Sequence, residues 1–203
     1  MQLTEELVRT CTGADSARAF LAVDPLNEVA GLYAISTVNR LGMFLANIGH
    51  ETGNLHFNTE LWGPTDAQAH YYNHPGLGNM YLGDDYKFRG RGWLQTTGRG
   101  NYQKLTQRLR SRWPQMQVPD FVLQPDLLAQ SEWCAVSAAD YWEMQSLNRY
   151  ADNDDFDSVC DIINLGHKGE RPGMANGFKD RLALWAQAKP ALILAGFPLT
   201  VGE

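Results

Sequence analysis

Residues 54–100 constrain this chain most: helical periodicity stops there, and Gly, Pro, Asn and Tyr take over. Long segments without regular structure are uncommon in compact domains, and those that occur are typically binding or catalytic loops carried by a rigid scaffold. The scaffold has to come from the flanks. Before residue 54 the pattern predicts helices over 4–10 and 15–23, then another opening at Asp24-Pro25, where an acidic N-cap precedes a proline. From Asn39 onward Leu41, Phe44, Leu45 and Ile48 fall at i, i+3, i+4 and i+7, an amphipathic helix stopped by Gly53. After residue 100, helices are predicted over 100–113, 124–147 and 155–164, the last with Phe156, Val159, Cys160 and Ile163 as its stripe. A final helix over 173–188 places Met174, Phe178, Leu182 and Trp185 on one face. A short hairpin is expected around residues 81–93. The class is mostly α, a helical domain with a loop-rich, weakly β insertion. No linker divides residues 1–203, so one domain is expected, without a separate binding module.

Composition excludes several classes. The chain is 44% hydrophobic and 20% charged, an ordinary globular balance rather than a disordered or fibrous one. No apolar run is long enough for a membrane span, and Glu5 and Glu6 stand where a secretion signal needs positive charge. Three distant cysteines, Cys11, Cys134 and Cys160, fit neither a disulfide framework nor a zinc ribbon and read as small buried hydrophobes. A net charge of −6 argues against nucleic acid as partner. Yet residues 87–119 carry eight Lys and Arg and no Asp or Glu, a block that reads either as a solvated helix face or as a surface that attracts an anionic polymer.

Glu51 is the first chemical candidate. It follows Ile48 by three residues and Phe44 by seven, so it continues the apolar stripe of its helix into the last turn. Desolvation and the negative helix end both disfavour a charged carboxylate, which is the setting for a general acid. Glu60 lies nine residues on, in the irregular segment. Two carboxyls in unlike settings can divide the roles of acid and base, as glycosidic hydrolysis requires. The third element runs from Gly90 through Arg91, Gly92, Trp93, Leu94, Gln95, Thr96, Thr97, Gly98, Arg99, Gly100 and Asn101 to Tyr102. Its glycines admit close backbone approach; Gln95, Thr97 and Asn101 offer neutral hydrogen-bonding groups, and Trp93 and Tyr102 flat faces. This is sugar-binding chemistry. The Gly-Lys-Ser/Thr of a phosphate loop is absent.

Taken together, the run FLANIGHETG (Phe44 to Gly53), then Glu60, then the Gly-Arg-Gly-x-x-Gln-x-Thr-Gly-x-x-Asn-Tyr pattern ending at Tyr102, resemble the family 19 glycoside hydrolases. These are the chitinases and their relatives among bacteriophage endolysins. Asp161-Ile162-Ile163-Asn164-Leu165-Gly166 is similar to the family's later Ile-Asn-Gly element, and Asp180-Arg181-Leu182 to its closing helix. The resemblance spans roughly residues 40–188, and the short step from Glu51 to Glu60 is more like the phage lysins. Two departures stand out: Trp93-Leu94, where many members carry Pro or Leu then Ile, and Leu165, where chitinases have Gly.

The resemblance implies a lysozyme-like α+β fold and an inverting mechanism. Glu51 would be the acid and Glu60 the base, with Thr97 helping to hold the attacking water. Gln95, Trp93, Asn101, Tyr102 and Asn164 would bind the sugar chain. It implies no metal and no cofactor. The expected partner is bacterial peptidoglycan, with chitin as the alternative substrate and a catalytically silent wall-binding module as the alternative class. A monomer is expected, made in the host cytoplasm, not stably inserted in the membrane, and reaching the wall in the periplasm through a holin-type partner. Competing motifs are weak: a zinc-protease pattern would need His where Asn54 stands, and His70 and His74 lie in a loop context.

Overall fold

The computed structural model describes residues 1–201. Its helices are α1 (Glu5–Thr12), α2 (Ser16–Leu32), α3 (Val38–Glu51), α4 (Asp66–Ala69), α5 (Asp84–Lys87), α6 (Arg99–Arg112), α7 (Ser131–Met144), α8 (Leu147–Asp152), α9 (Phe156–Leu165) and α10 (Phe178–Leu194). Short 3₁₀ turns lie at Pro75–Leu77 and Pro125–Ala129. Among the described residues, β pairing outside helices is confined to two isolated bridges, Thr59 with Arg91 and Arg91 with Thr96. The mostly α class with a weakly β, loop-rich insertion is therefore what the chain adopts. Of the span 1–203 expected to form one domain, residues 202 and 203 lie outside the described residues. By contact the chain divides into two compact units, Met1–His56 together with the chain from Tyr141 onward, and Phe57–Asp140. No described helix is long and apolar enough to cross a membrane.

The first unit is helical, and α3 is its centre. Residues from Val38 to Gly49 along α3 are almost all buried, with α1, α8, α9 and α10 against it. Four of its helices begin at side-chain caps: Thr4 accepts from Leu7 N, Asp15 from Arg18 N, Thr37 from Arg40 N and Asp155 from Ser158 N. Close packing depends on two glycines of α3, seven residues apart. A Cβ on Gly42 would drive into the Trp185 ring of α10, and one on Gly49 would meet the Thr12 carbonyl oxygen at 2.6 Å. The first obstacle is a side chain, the second is backbone.

Several expected boundaries differ. Asp24-Pro25 opens no helix: α2 runs through Pro25, because Ala19, Ala22, Leu26 and Val29 form one buried stripe on both sides of it. The helix expected over 124–147 is instead a 3₁₀ turn led by Pro125, then α7, then α8. Gln130 is extended, and Ser146 sits at φ +55°, so neither continues a helix. The last helix starts at Phe178, and its buried face is Arg181, Trp185, Ala188 and Leu192. Met174 and Leu182, expected on that face, are exposed.

The second unit holds its loops with buried polar groups in place of a sheet. No hairpin forms at residues 81–93; the chain turns helical at Asp84 instead. The nearly buried Asp84 carboxylate accepts from Met80 N and Tyr81 N at 3.0 Å and from Arg99 Nε and Nη2 at 2.8 and 2.6 Å. Arg91 is also buried, donating to the Lys87 carbonyl, Tyr102 Oη and Asp126 Oδ1. Arg108 pairs with Asp140, and Arg110 donates to the Val118 carbonyl through two nitrogens. Three of the eight basic residues, Arg91, Arg99 and Arg108, thus pair with acids outside the block, while Lys87, Lys104, Arg110 and Arg112 remain exposed.

Two outcomes follow. Gly49→Ala should lower stability by about 1–3 kcal/mol or more in denaturant unfolding, because backbone cannot yield, whereas Gly31→Ala, with open space around it, should be neutral or mildly stabilising. The hydrogen bond from Arg99 foremost, with the backbone N–H groups, holds the Asp84 carboxyl down from 3.8 to about 2. Its folded value is depressed, so its contribution is full above about pH 4 and is lost as pH falls toward 2, an amount on the order of 2 kcal/mol. Unfolding midpoints between pH 5 and 2 should fall more steeply in the wild type than in Asp84→Asn; parallel curves would refute the linkage.

Candidate active site

Glu51 stands in the last turn of α3, its carboxylate about a quarter exposed, and it pairs with the guanidinium of Arg181 on α10. Arg181 is fully buried, and each of its nitrogens has a partner. Nη2 donates to Glu51 Oε1, Nη1 to Asn47 Oδ1 at 2.7 Å, and Nε to the Asn176 carbonyl at 3.0 Å. Asn47 lies one turn before Glu51, and its Nδ2 bonds back to the Met43 carbonyl, which leaves Oδ1 turned to Arg181. Sequence reasoning placed Glu51 against hydrocarbon; the structure gives it a buried cation.

The groups around Glu51 feel these charges. Burial, with the Arg181 charge adding to it, holds the His50 imidazole below its ordinary value, against opposing effects of Glu51 and Asp180. Burial pushes the Tyr141 hydroxyl up, and the Glu51 charge pushes it further. Tyr141 Oη donates to the Ile162 carbonyl at 2.9 Å.

Asn164, expected to bind sugar, lies on α9 with an exposed side chain whose Oδ1 accepts from Asn176 N at 2.9 Å. Two neighbours on the same helix do similar work. Asp161 accepts from Gly169 N and Ala175 N, and Asp157 from Gly173 N. Asp157, Asp161 and Asn164 fall at i, i+4 and i+7, one face of α9, and fix the segment that presents the Asn176 carbonyl to Arg181. Asn164 therefore acts on Glu51 at two removes, whatever else its exposed amide contacts.

Glu60 belongs to the second unit and has a different kind of environment. Its backbone N donates to the Gly90 carbonyl at 2.8 Å, and Gly90 N returns a bond to Oε2 at 2.9 Å. Oε1 accepts from Gln68 Nε2 at 3.0 Å and from Tyr71 Oη at 3.1 Å. All three partners are neutral donors. Burial, followed by the Glu60 charge and hydrogen bond, raises the Tyr71 hydroxyl above its ordinary value. Tyr71 in turn meets Trp62, whose ring also packs edge-on against Tyr86 at 5.5 Å.

Of the glycine-rich run, Gln95 is exposed and its side chain lies over Gly90, where a Cβ would collide with it. Thr97 and Asn101 are half-buried, and Asn101 Nδ2 donates to the Thr97 carbonyl at 2.7 Å. Trp93 and Tyr102 differ from expectation. Trp93 is 4% exposed and Tyr102 fully enclosed, its hydroxyl donating to the Arg89 carbonyl while accepting from Arg91. Neither offers a free face to a ligand; they pack the loop that carries Gln95 and Thr97. The three cysteines are buried, and burial raises each thiol to about 12, which suits inert packing rather than nucleophilic chemistry.

Comparison with solved structures gives the architecture a precedent. Chitinase C from Streptomyces griseus superposes with a TM-score of 0.64, and a mutant form of chitinase C with 0.65; both are 19% identical, and each match covers 93% of this chain and 76% of the other. The fold is that of chitinase C. No family model matches the sequence. At this identity the likeness to chitinase C is one of fold, and the chemistry rests on the residues.

Sequence reasoning missed Arg181, Gln68 and Tyr71. Arg181 carried the same signal that singled out Glu51, a charge on the buried stripe, but the stripe had been drawn one residue off. Gln68 carried the Thr65-x-x-Gln68 capping-box pattern. Lysine cannot satisfy the three-way guanidinium geometry at Arg181, so Arg181→Lys should cost about 2–3 kcal/mol in urea unfolding. In a double-mutant cycle with Glu51→Gln the two changes should couple by about 1 kcal/mol or more, and additive losses would show that the pair is not coupled.

Proposed function

We propose that this chain is a glycoside hydrolase that cleaves β-1,4 bonds in polymers containing N-acetylated sugars, and that its substrate is bacterial peptidoglycan. The observation that supports it most is the presence, on a chitinase fold, of two carboxylates held by unlike partners, Glu51 by a buried arginine and Glu60 by three neutral donors. Glu51 acts as the acid, protonating the glycosidic oxygen as the bond to the anomeric carbon breaks. Glu60 acts as the base, taking a proton from a water that attacks that carbon from the opposite face, with Thr97 as a further contact to the water. The proton given by Glu51 leaves on the new sugar hydroxyl, the one taken by Glu60 returns to solvent and solvent reprotonates Glu51, so the balance is hydrolysis. Gln95, Asn101 and Asn164 are the exposed or half-exposed amides available to the sugar's hydroxyl and acetamido groups.

Peptidoglycan as substrate, an endolysin role and release by a holin-type partner rest on the resemblance of the Glu51–Glu60 region to phage lysins. Chitin is the second reading, favoured by the fold likeness to chitinase C. Incubating the protein with purified peptidoglycan and, in parallel, with chitin oligomers separates them. Reducing ends on N-acetylmuramic acid fragments identify a muramidase, and products from chitin alone would overturn the peptidoglycan assignment. A protein that binds the wall but yields no fragments would be the silent module.

Proton NMR during the first turnovers of a β-linked substrate should show the α anomer forming first; an initial β product rules out inversion. Glu51→Gln should keep the fold and reduce turnover by several orders of magnitude. Glu60→Gln should be nearly as damaging, and Thr97→Val milder, because the water would lose one contact and keep its base.

A further inference from the structure

The side chain of Gln68 is 3% exposed, in a segment of the second unit that is otherwise largely open to solvent. Its amide is saturated. Oε1 accepts from Thr65 N at 2.8 Å and Gly63 N at 3.2 Å, while Nε2 donates to the Leu61 carbonyl at 2.7 Å and to Glu60 Oε1 at 3.0 Å. Only this orientation works, since rotating the amide would face donors to donors and oxygen to oxygens. The first pair of bonds, with Thr65 Oγ1 accepting from Gln68 N, closes a capping box on a helix of a single turn. The second pair reaches back over the chain that this turn closes.

We propose that Gln68 is the positioning residue for Glu60, tying the loop backbone at residues 61–65 and the Glu60 carboxylate to one rigid amide. The inference rests on the reading of Glu60 as the base, and it adds a group that no motif assigns. Without the amide, Glu60 Oε1 would keep only Tyr71, and Tyr71 sits on a segment that the same capping box anchors. Tyr71 is the titratable group bonded to Glu60; on either side of Gly90, Arg89 lies over the Tyr86 ring, and Arg91 points to the Lys87 carbonyl, Tyr102 and Asp126.

The two ends of the amide can be tested apart. Gln68→Glu retains an acceptor for Gly63 N and Thr65 N, since glutamate is also a capping-box residue, but sets a second carboxyl oxygen against Glu60 Oε1. Two carboxyls in contact share a proton, so the acidic limb of the rate profile should move up by about one pH unit or more. Gln68→Met removes both ends and should lower kcat about 10- to 100-fold with KM within about twofold. An unmoved profile in folded Gln68→Glu, or an unchanged kcat in Gln68→Met, would overturn the proposal. In the unmutated protein the Gln68 side-chain amide protons should shift in NMR as Glu60 titrates, and that shift should vanish in Glu60→Gln. This readout needs no variant at 68, and its absence would also overturn the proposal. Should Glu60→Gln remain fully active, the base assignment fails by itself, while the amide titration still reports whether Gln68 holds the carboxylate.

Discussion

A guanidinium removed from water is costly unless its nitrogens are partnered, and Arg181 has a partner at each of the three: Asn47 and Glu51 on α3, and the Asn176 carbonyl. Much of the first unit is arranged around this requirement. Asn47 and Glu51 are one helical turn apart, so α3 presents two acceptors on one face. The face of α9 bearing Asp157, Asp161 and Asn164 secures the segment that supplies the third. Glycines at 42 and 49 let α10 and α1 close on α3, and the Gly177 backbone lies where a Cβ would strike the His50 ring. The interaction also explains why a carboxylate can occupy the end of a buried stripe at the negative pole of a helix. Its cation comes from a neighbouring element rather than from its own helix.

The second unit solves a different problem. Outside α6 and α7 it has little regular structure to satisfy its backbone, so side-chain amides, carboxylates and guanidinia do so there instead. Gln68, Asp84 and Arg91 are each buried and make several bonds, Gln68 within its own loop, Asp84 also to Arg99 and Arg91 also to Asp126. Such loops are rigid for a reason other than hydrophobic packing. Their weak point is charge: protonating Asp84 removes half of a bidentate pair, whereas no apolar core residue responds to pH.

The helices were legible in the sequence because their stripes and caps are local. Thr4, Asp15, Thr37 and Asp155 sit one residue before the helices they cap. Boundaries failed where tertiary burial overrode a local signal, as at Pro25, or where one residue's backbone broke a continuous pattern, as at Ser146. The Glu51 and Glu60 neighbourhoods were legible as residue types but not as environments. Nothing local says that Glu51 meets a cation 130 residues away, nor that Asp126, Asp84 and Asp140 pair with Arg91, Arg99 and Arg108 of the basic block. A run of like charge in sequence is a statement about the chain; the field at the surface depends on which partners folding brings to it.

The glycine-rich run shows how a motif divides between architecture and chemistry. Its aromatic residues looked like ligand platforms, yet Tyr102 and Arg91 form a buried pair and Trp93 is enclosed, so they set the path of the backbone. Gly98 lies at φ +93°, and a Cβ there would strike Leu77, so no side chain fits the position. What remains exposed to a ligand is smaller and more polar: Gln95, the Thr97 region and Asn101. Gly90 connects the two groups, since it bonds Glu60 in both directions while leaving room for the Gln95 side chain above it. A substitution at Gly90 would therefore displace the Gln95 amide and the Glu60 carboxylate together. The residues of the run that contact nothing but protein are thus the ones that keep its few exposed groups at a fixed distance from Glu60.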